Sequence, residues 1–148
     1  ARRLKERLVE AAILFGEKPK QALALLHQQG LLSDPTNVVQ VAALLHRMHG
    51  LLDRRSLGEY LAKPGNETLL RTFLSRFQLR GLRLDQALRL CMHSFRLPGE
   101  AQQISRVMEQ LASVYFEQQQ QQGDGEIRDA DSAYILAYSI VMLNTDQH

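Results

Sequence analysis

Apolar residues in this chain recur at helical spacing almost throughout, and one short segment breaks the pattern most sharply: Phe95-Arg96-Leu97-Pro98-Gly99-Glu100-Ala101. Before it, Leu84, Ala87, Leu88, Cys91 and Met92 lie three or four residues apart; after it, Ile104, Val107, Met108, Leu111 and Val114 do the same. Two helices must therefore meet at Pro98-Gly99. Proline presets φ for the second position of a turn and glycine accepts the positive φ of the third, so Leu97 to Glu100 is expected to form a type II turn. Glu100 would then open the next helix, where free N–H groups and the helix dipole favour a negative charge. On residue type alone it is a helix-start residue; the sharper reading is a working carboxylate at the tip of a turn.

The same spacing predicts helices along the rest of the chain. A first runs from about Arg3 to Phe15, with Leu4, Leu8, Ala11, Ala12 and Phe15 inward and Gly16 as its stop. Pro19 suits the first turn of a second, carrying Ala22, Leu25 and Leu26 to a left-handed stop at Gly30. Asp34-Pro35 reads as an N-cap and first turn for a third through Val38, Val41, Ala42 and Leu45, ending at Gly50. Asp53 caps a fourth that ends near Lys63-Pro64-Gly65, and Asn66 caps a fifth with Leu69, Leu70, Phe73, Leu74 and Phe77 spaced for burial. Gly81 separates the fifth from the sixth. The seventh leaves the Pro-Gly turn and fades into a polar, low-complexity loop from Gln118 to Gly125, after which Asp129 or Asp131 caps the eighth. No run alternates with β-branched residues, so the fold class expected is all-α, without a sheet. No fixed period of about 33 to 47 residues appears, which argues against the standard helical-repeat arrays.

A chain of 148 residues with 45% hydrophobic content builds one core and not two. With 18 basic and 16 acidic residues interspersed, the net charge of +2 points to no nucleic-acid partner. Arg80, Arg83, Arg89 and Arg96 lack the neighbouring aromatics of a base-stacking surface and read as solvated helix faces. The lone Cys91 has no disulfide partner, favours a reducing compartment and, on an apolar helix face, reads as a small buried hydrophobe. The basic start at Ala1-Arg2-Arg3 lacks the apolar segment of a signal peptide. The longest apolar run, Ala133 to Leu143, is about half the ~20 residues that cross a bilayer and is expected as a buried helix.

Chemistry of the usual kinds is poorly served. His46 and His49 lack the glutamate of HExxH and any nearby thiolate, so helix C-terminal histidines are the better reading and no metal is expected. No glycine-rich phosphate loop is present, so no nucleotide or other cofactor is expected on this chain itself. Asp129 and Asp131 are capping residues before they are a hydrolase pair. Glu100 as the general acid of a hydrolase lacks a second group and a pocket. Tyr138, Val141 and Met142 share one helix face. They are either plain core residues or the lining of a shallow apolar groove beside the Pro-Gly turn.

FRLPGEAQ, at residues 95–102, closely resembles the first signature of the Sec-seven domain, the catalytic module of guanine nucleotide exchange factors for Arf GTPases, and residues 133–148, AYILAYSIVMLNTDQH, resemble the second. Weaker similarity covers the rest: Phe15 with Lys18-Pro19-Lys20, the stretch Ser56-Leu57-Gly58-Glu59-Tyr60-Leu61, and Arg83-Leu84-Asp85-Gln86-Ala87-Leu88-Arg89, the last typical of the large Golgi-type branch. Two departures stand out. Gln21-Ala22-Leu23 replaces a glycine-isoleucine, and Ser105 stands where several relatives carry an acidic residue that faces the GTPase.

The resemblance implies an all-α stack of antiparallel helices forming a right-handed superhelical domain over residues 1–148, one that in the family continues past His148 into Asn-Pro and further helices. On that expectation the chain lacks its C-terminal helices and would exchange weakly alone. The resemblance also implies a division of labour: Glu100 as the catalytic carboxylate, with Leu97, Pro98, Gly99, Ala101, Tyr138, Ser139, Met142, Asn144 and Asp146 as partner-binding residues. The implied partner is an Arf-family small GTPase, GDP-bound and then nucleotide-free, with brefeldin A at the interface. The implied location is cytoplasmic, recruited peripherally to Golgi membranes by way of the full-length protein. The alternative is a helical scaffold that binds a GTPase or another partner without exchange.

Overall fold

A computed structural model describes residues 2–120 and 130–146, with side chains described for 3–120 and 131–142. Among the described residues every regular element is helical: α1 (Arg2–Glu17), α2 (Pro19–Gln28), α3 (Val38–Met48), α4 (Arg54–Leu61), α5 (Glu67–Leu74), α6 (Leu84–Met92), α7 (Ala101–Gln120) and α8 (Ala130–Asp146). A single 3₁₀ turn, His49–Leu51, follows α3. Helix α1 pairs with α2, α3 with α5, α5 with α7 and α7 with α8, while α4 bridges α1 and α5 and α6 leans on α7 and α8.

One core runs through the stack. Phe15, Phe73 and Phe95, from three distant parts of the sequence, are each 0–1% exposed. The Phe73 ring meets Phe77 at 5.6 Å and Phe95 at 6.0 Å, both edge to face, the geometry that the ring quadrupole favours. Leu4, expected inside, is exposed.

Several helix ends follow the expected local chemistry. Pro19 opens α2, and Gly30 and Gly81 take positive φ after α2 and before α6. The Asp53 carboxylate accepts the Ser56 amide at 3.0 Å, an N-cap that contributes about 1 kcal/mol. Other ends differ. Helix α1 passes through Gly16 to Glu17, because the Lys18 amide still finds the Leu14 carbonyl at 2.7 Å. Asp34 does not cap α3: its carboxylate takes the amide and hydroxyl of Thr36 in a tight turn, and Asn37 does the capping three residues later through the Gln40 amide. Helix α3 ends at Met48, with Gly50 inside the 3₁₀ turn. Asn66 precedes α5, but its side chain turns back to the Tyr60 carbonyl.

The glutamine-rich segment also begins later than its composition predicts. Gln118, Gln119 and Gln120 are still helical, and Gln119 is 8% exposed. The amides of Gln118 and Gln119 pair with the backbone of the 77–81 loop, giving those unladdered groups the partners that a buried peptide requires. Asp129, one of the two expected caps of α8, lies outside the described residues.

Candidate functional site

Glu100 stands immediately before α7, and its carbonyl accepts the Ile104 amide at 3.0 Å, so it occupies the N-cap position expected for it. The turn itself is not type II. Among the described residues only Gly30, Gly65 and Gly81 have positive φ, so Gly99 holds a conformation open to any residue. Its own surroundings are empty: a Cβ on Gly99 would meet nothing within 4 Å. The glycine leaves the tip bare without being required by the backbone.

Leu97, Pro98, Gly99 and Glu100 together form one wall of an open cleft of about 820 Å³. The end of α1, at Phe15, Gly16 and Glu17, one face of α4, at Arg55, Ser56, Glu59 and Tyr60, and Lys63 just beyond α4 form the other walls. Phe15 and Tyr60 meet edge to face at 5.3 Å beneath it. Charges of both signs ring the cleft, and Arg55 is paired with Glu59 at 3.2 Å. Glu100 is exposed there, and Ala101 is exposed beside it on the first turn of α7.

Helix α8 is apolar nearly all round, but only one side is packed. Ala133 and Ala137, both fully buried, allow α8 to lie close against α7, and the Ser105 hydroxyl hydrogen-bonds the Tyr134 hydroxyl at 2.8 Å. Ser105 therefore ties α7 to α8. Tyr138 is half-buried with its ring 6.0 Å from that of Tyr134, and Met142 is half-buried against the core. Ser139 is exposed and donates its hydroxyl to the Ile135 carbonyl at 2.8 Å, one turn back. Ile135 and Leu136 are 61% and 47% exposed. Ile135, Ser139 and Met142 follow at i, i+4 and i+7 up one face of α8. Sequence reasoning passed over Ile135 and Leu136, although a helix apolar on every side of a one-core domain must leave some of that surface uncovered. Asn144 and Asp146 belong to the last turn of α8, and their side chains lie outside the described residues.

Val141 is not beside the Pro-Gly turn. With Ile140 it lines a second recess, about 400 Å³, against Leu88 and Met92 of α6, rimmed by Arg54, Asp85, Arg89 and His93. The two cavities share no lining residue.

Two other expected features resolve as packing. Cys91 is fully buried, and that burial pushes its thiol up to about 12, far from a thiolate. The His46 ring meets Phe77 at 4.6 Å and His49 at 5.7 Å. Both imidazoles are held below the usual histidine range, chiefly by burial, with neighbouring cationic groups adding to it. Desolvation therefore outweighs the helix-end attraction that the sequence suggested.

The family pattern of the Sec7 domain matches residues 4–148. An uncharacterized protein of Schizosaccharomyces pombe is 40% identical over 141 residues, covering 95% of this chain and 9% of that protein. ARF guanine-nucleotide exchange factor 2 of Saccharomyces cerevisiae is 35% identical over 155 residues, covering 97% of this chain and 11% of its own length. The chain thus spans about a tenth of the length of these curated relatives. Among solved structures, a Sec7 domain bound to ARF1-GDP and brefeldin A is 37% identical, with a TM-score of 0.88 over 97% of this chain and 71% of that one.

Proposed function

This chain belongs to the Sec7 domain family, and on that premise we propose that it promotes release of GDP from an Arf-family small GTPase, with Glu100 as the group that displaces the nucleotide. The observation that carries the reading is the setting of Glu100: an exposed carboxylate at a helix start, on a turn whose glycine is bare, over an open cleft.

Exchange needs no covalent step. An anion brought beside the β-phosphate repels it, disfavours Mg²⁺ coordination and can take over the phosphate-binding lysine of the GTPase. Two unit charges about 4 Å apart interact by roughly 4 kcal/mol at an effective dielectric near 20. At about 1.4 kcal/mol per tenfold, that one interaction is worth roughly a thousandfold in release rate. The exposed side of α8, with Tyr138, Ser139 and Met142 and the neighbouring Ile135 and Leu136, supplies the apolar surface for the GTPase switch segments. That contact stabilises the emptied GTPase, as exchange requires. Leu97, Pro98, Gly99 and Ala101 complete the contact around Glu100, and Asn144 and Asp146 extend it along the end of α8.

Brefeldin A would bind where the GDP-bound GTPase meets Tyr138 and Ser139. No described helix is long and apolar enough to cross a membrane, and we place the action at Golgi membranes through peripheral recruitment by a longer protein. Release of a fluorescent GDP analogue from Arf, with wild type and Glu100→Lys compared, tests the reading. Wild type should accelerate release and a folded Glu100→Lys should not, while still binding GDP-bound Arf. Equal release by the two proteins would end the glutamate mechanism. Binding without release by wild type would leave the scaffold alternative.

A further inference from the structure

The turn that carries Glu100 is clamped at its base by a helix from much earlier in the chain. Phe95 is fully buried, its ring against Phe73. Immediately after it, the Arg96 amide donates to the Arg54 carbonyl at 3.1 Å. Before it, the Met92 carbonyl accepts from the Arg54 guanidinium, across 38 residues of sequence. Arg54, the first residue of α4, therefore grips the loop on both sides of the Phe95 anchor. One turn along α4, Gly58 is buried against the same loop: a Cβ there would stand 1.9 Å from the Arg96 carbonyl oxygen and 3.4 Å from the Phe95 ring.

Gly58 has no reason within its own helix to be glycine. Its φ is not positive, and glycine inside a helix is less favourable than alanine. What offsets that cost is the approach of the loop. Base and tip contrast: no side chain fits between α4 and Arg96, whereas around Gly99 there is open space.

We infer that α4 positions the exchange carboxylate. Arg54 and Gly58 fix the height and direction at which residues 97–100 leave the domain, and so set where Glu100 projects over the cleft. The inference rests on the exchange reading given above for Glu100. Both are positioning residues, since they hold the base of the loop and not its tip. An alanine at 58 would place its Cβ roughly 1.5 Å inside the ~3.5 Å at which such atoms pack, so the loop must move by a comparable amount. A shift of about 1 Å in a preorganised site can reduce a rate about a hundredfold.

The test compares wild type with Gly58→Ala, Arg54→Ala and Arg54→Lys, each also combined with Glu100→Ala. GDP release is measured across Arf concentrations, and backbone hydrogen exchange is followed over residues 93–100. Gly58→Ala should lower the maximal release rate about a hundredfold with little change in the half-saturating Arf concentration. Arg54→Ala should lower it about tenfold, with partial rescue by Arg54→Lys, because one charge-assisted hydrogen bond is lost. In the Glu100→Ala background neither change should add a further loss, the signature of residues acting through one group. Exchange at the Arg96 amide and beyond should accelerate in Gly58→Ala and Arg54→Ala.

A folded Gly58→Ala or Arg54→Ala protein with wild-type release and wild-type loop exchange overturns the inference. So does the same fractional loss with and without Glu100. If Gly58→Ala does not fold, the Arg54 series decides alone. If wild type itself releases no nucleotide, the exchange reading is what fails, and loop hydrogen exchange in the variants still decides whether α4 holds the loop.

Discussion

The side-chain amide of Gln119 donates to the carbonyl of Leu79 at 2.7 Å, while its carbonyl oxygen accepts the Gly81 amide at 3.2 Å. One buried glutamine thus satisfies both a donor and an acceptor of the loop between α5 and α6. The Leu79 carbonyl also accepts the Leu82 amide at 3.1 Å, so Gln119→Leu should leave the Gly81 amide unpaired and cost about 1–3 kcal/mol by urea unfolding. Gln120→Ala, at an exposed neighbouring position, should stay within about 0.5 kcal/mol of wild type. Equal stability of the two variants would mean that the loop does not depend on this pair.

At the tip of the turn, Gly99→Ala should fold as wild type does, since its φ is not left-handed and its Cβ would meet nothing within 4 Å. Any effect must then come from a partner. If the GTPase backbone closes on the bare tip, the added methyl should slow GDP release several-fold with the unfolding midpoint unchanged. A wild-type rate would remove Gly99 from the contact surface.

Ser139 donates only to the carbonyl one turn back, and Tyr138 is half-buried beside Tyr134, so Tyr138→Phe with Ser139→Ala should leave α8 folded. The pair offers brefeldin A a hydroxyl and a small polar residue that phenylalanine-alanine does not. The double variant should need a higher concentration of the drug for half inhibition of exchange on GDP-bound Arf, with uninhibited exchange nearly intact. Equal inhibition of both forms would place the drug elsewhere.

His46 has a buried Nε2 without a hydrogen-bond partner and packs among Phe73, Phe77 and His49. Its folded pKa and that of His49 lie below the unfolded value near 6.5. The unfolded chain therefore binds protons first as pH falls. Stability should be level above about pH 6.5 and decline as pH drops through that value towards the folded pKa values. Urea midpoints at pH 7.5 and 5.5 should show the decline, and His46→Leu should shrink it. An unchanged pH dependence in that variant would assign the effect to other groups.

What the sequence determined by itself is the part governed by neighbours within about one helical turn. The spacing of Leu84, Ala87, Leu88 and Cys91 announces a helix face because 3.6 residues return to the same side. Asp53 caps α4 because its carboxylate reaches an amide three residues on. The wording of residues 95–102 and 133–148 identified the family because both signatures are contiguous. Even local chemistry can be ambiguous: Asp34 could cap a helix or close a turn with Thr36, and the turn won.

Tertiary structure alone decided which of the all-round apolar positions of α8 would be covered, burying Ala133 and Ala137 and leaving Ile135 exposed. It also decided that Gln118 and Gln119, lost in a low-complexity tract, would pair with a loop 38 to 41 residues away. In the same way Gly58, which by composition is only a weak point in a helix, became the seat of the Arg96 carbonyl. In each case the partner is distant in the chain. Its position depends on how whole helices pack, and no periodicity within α4, α7 or α8 carries that information.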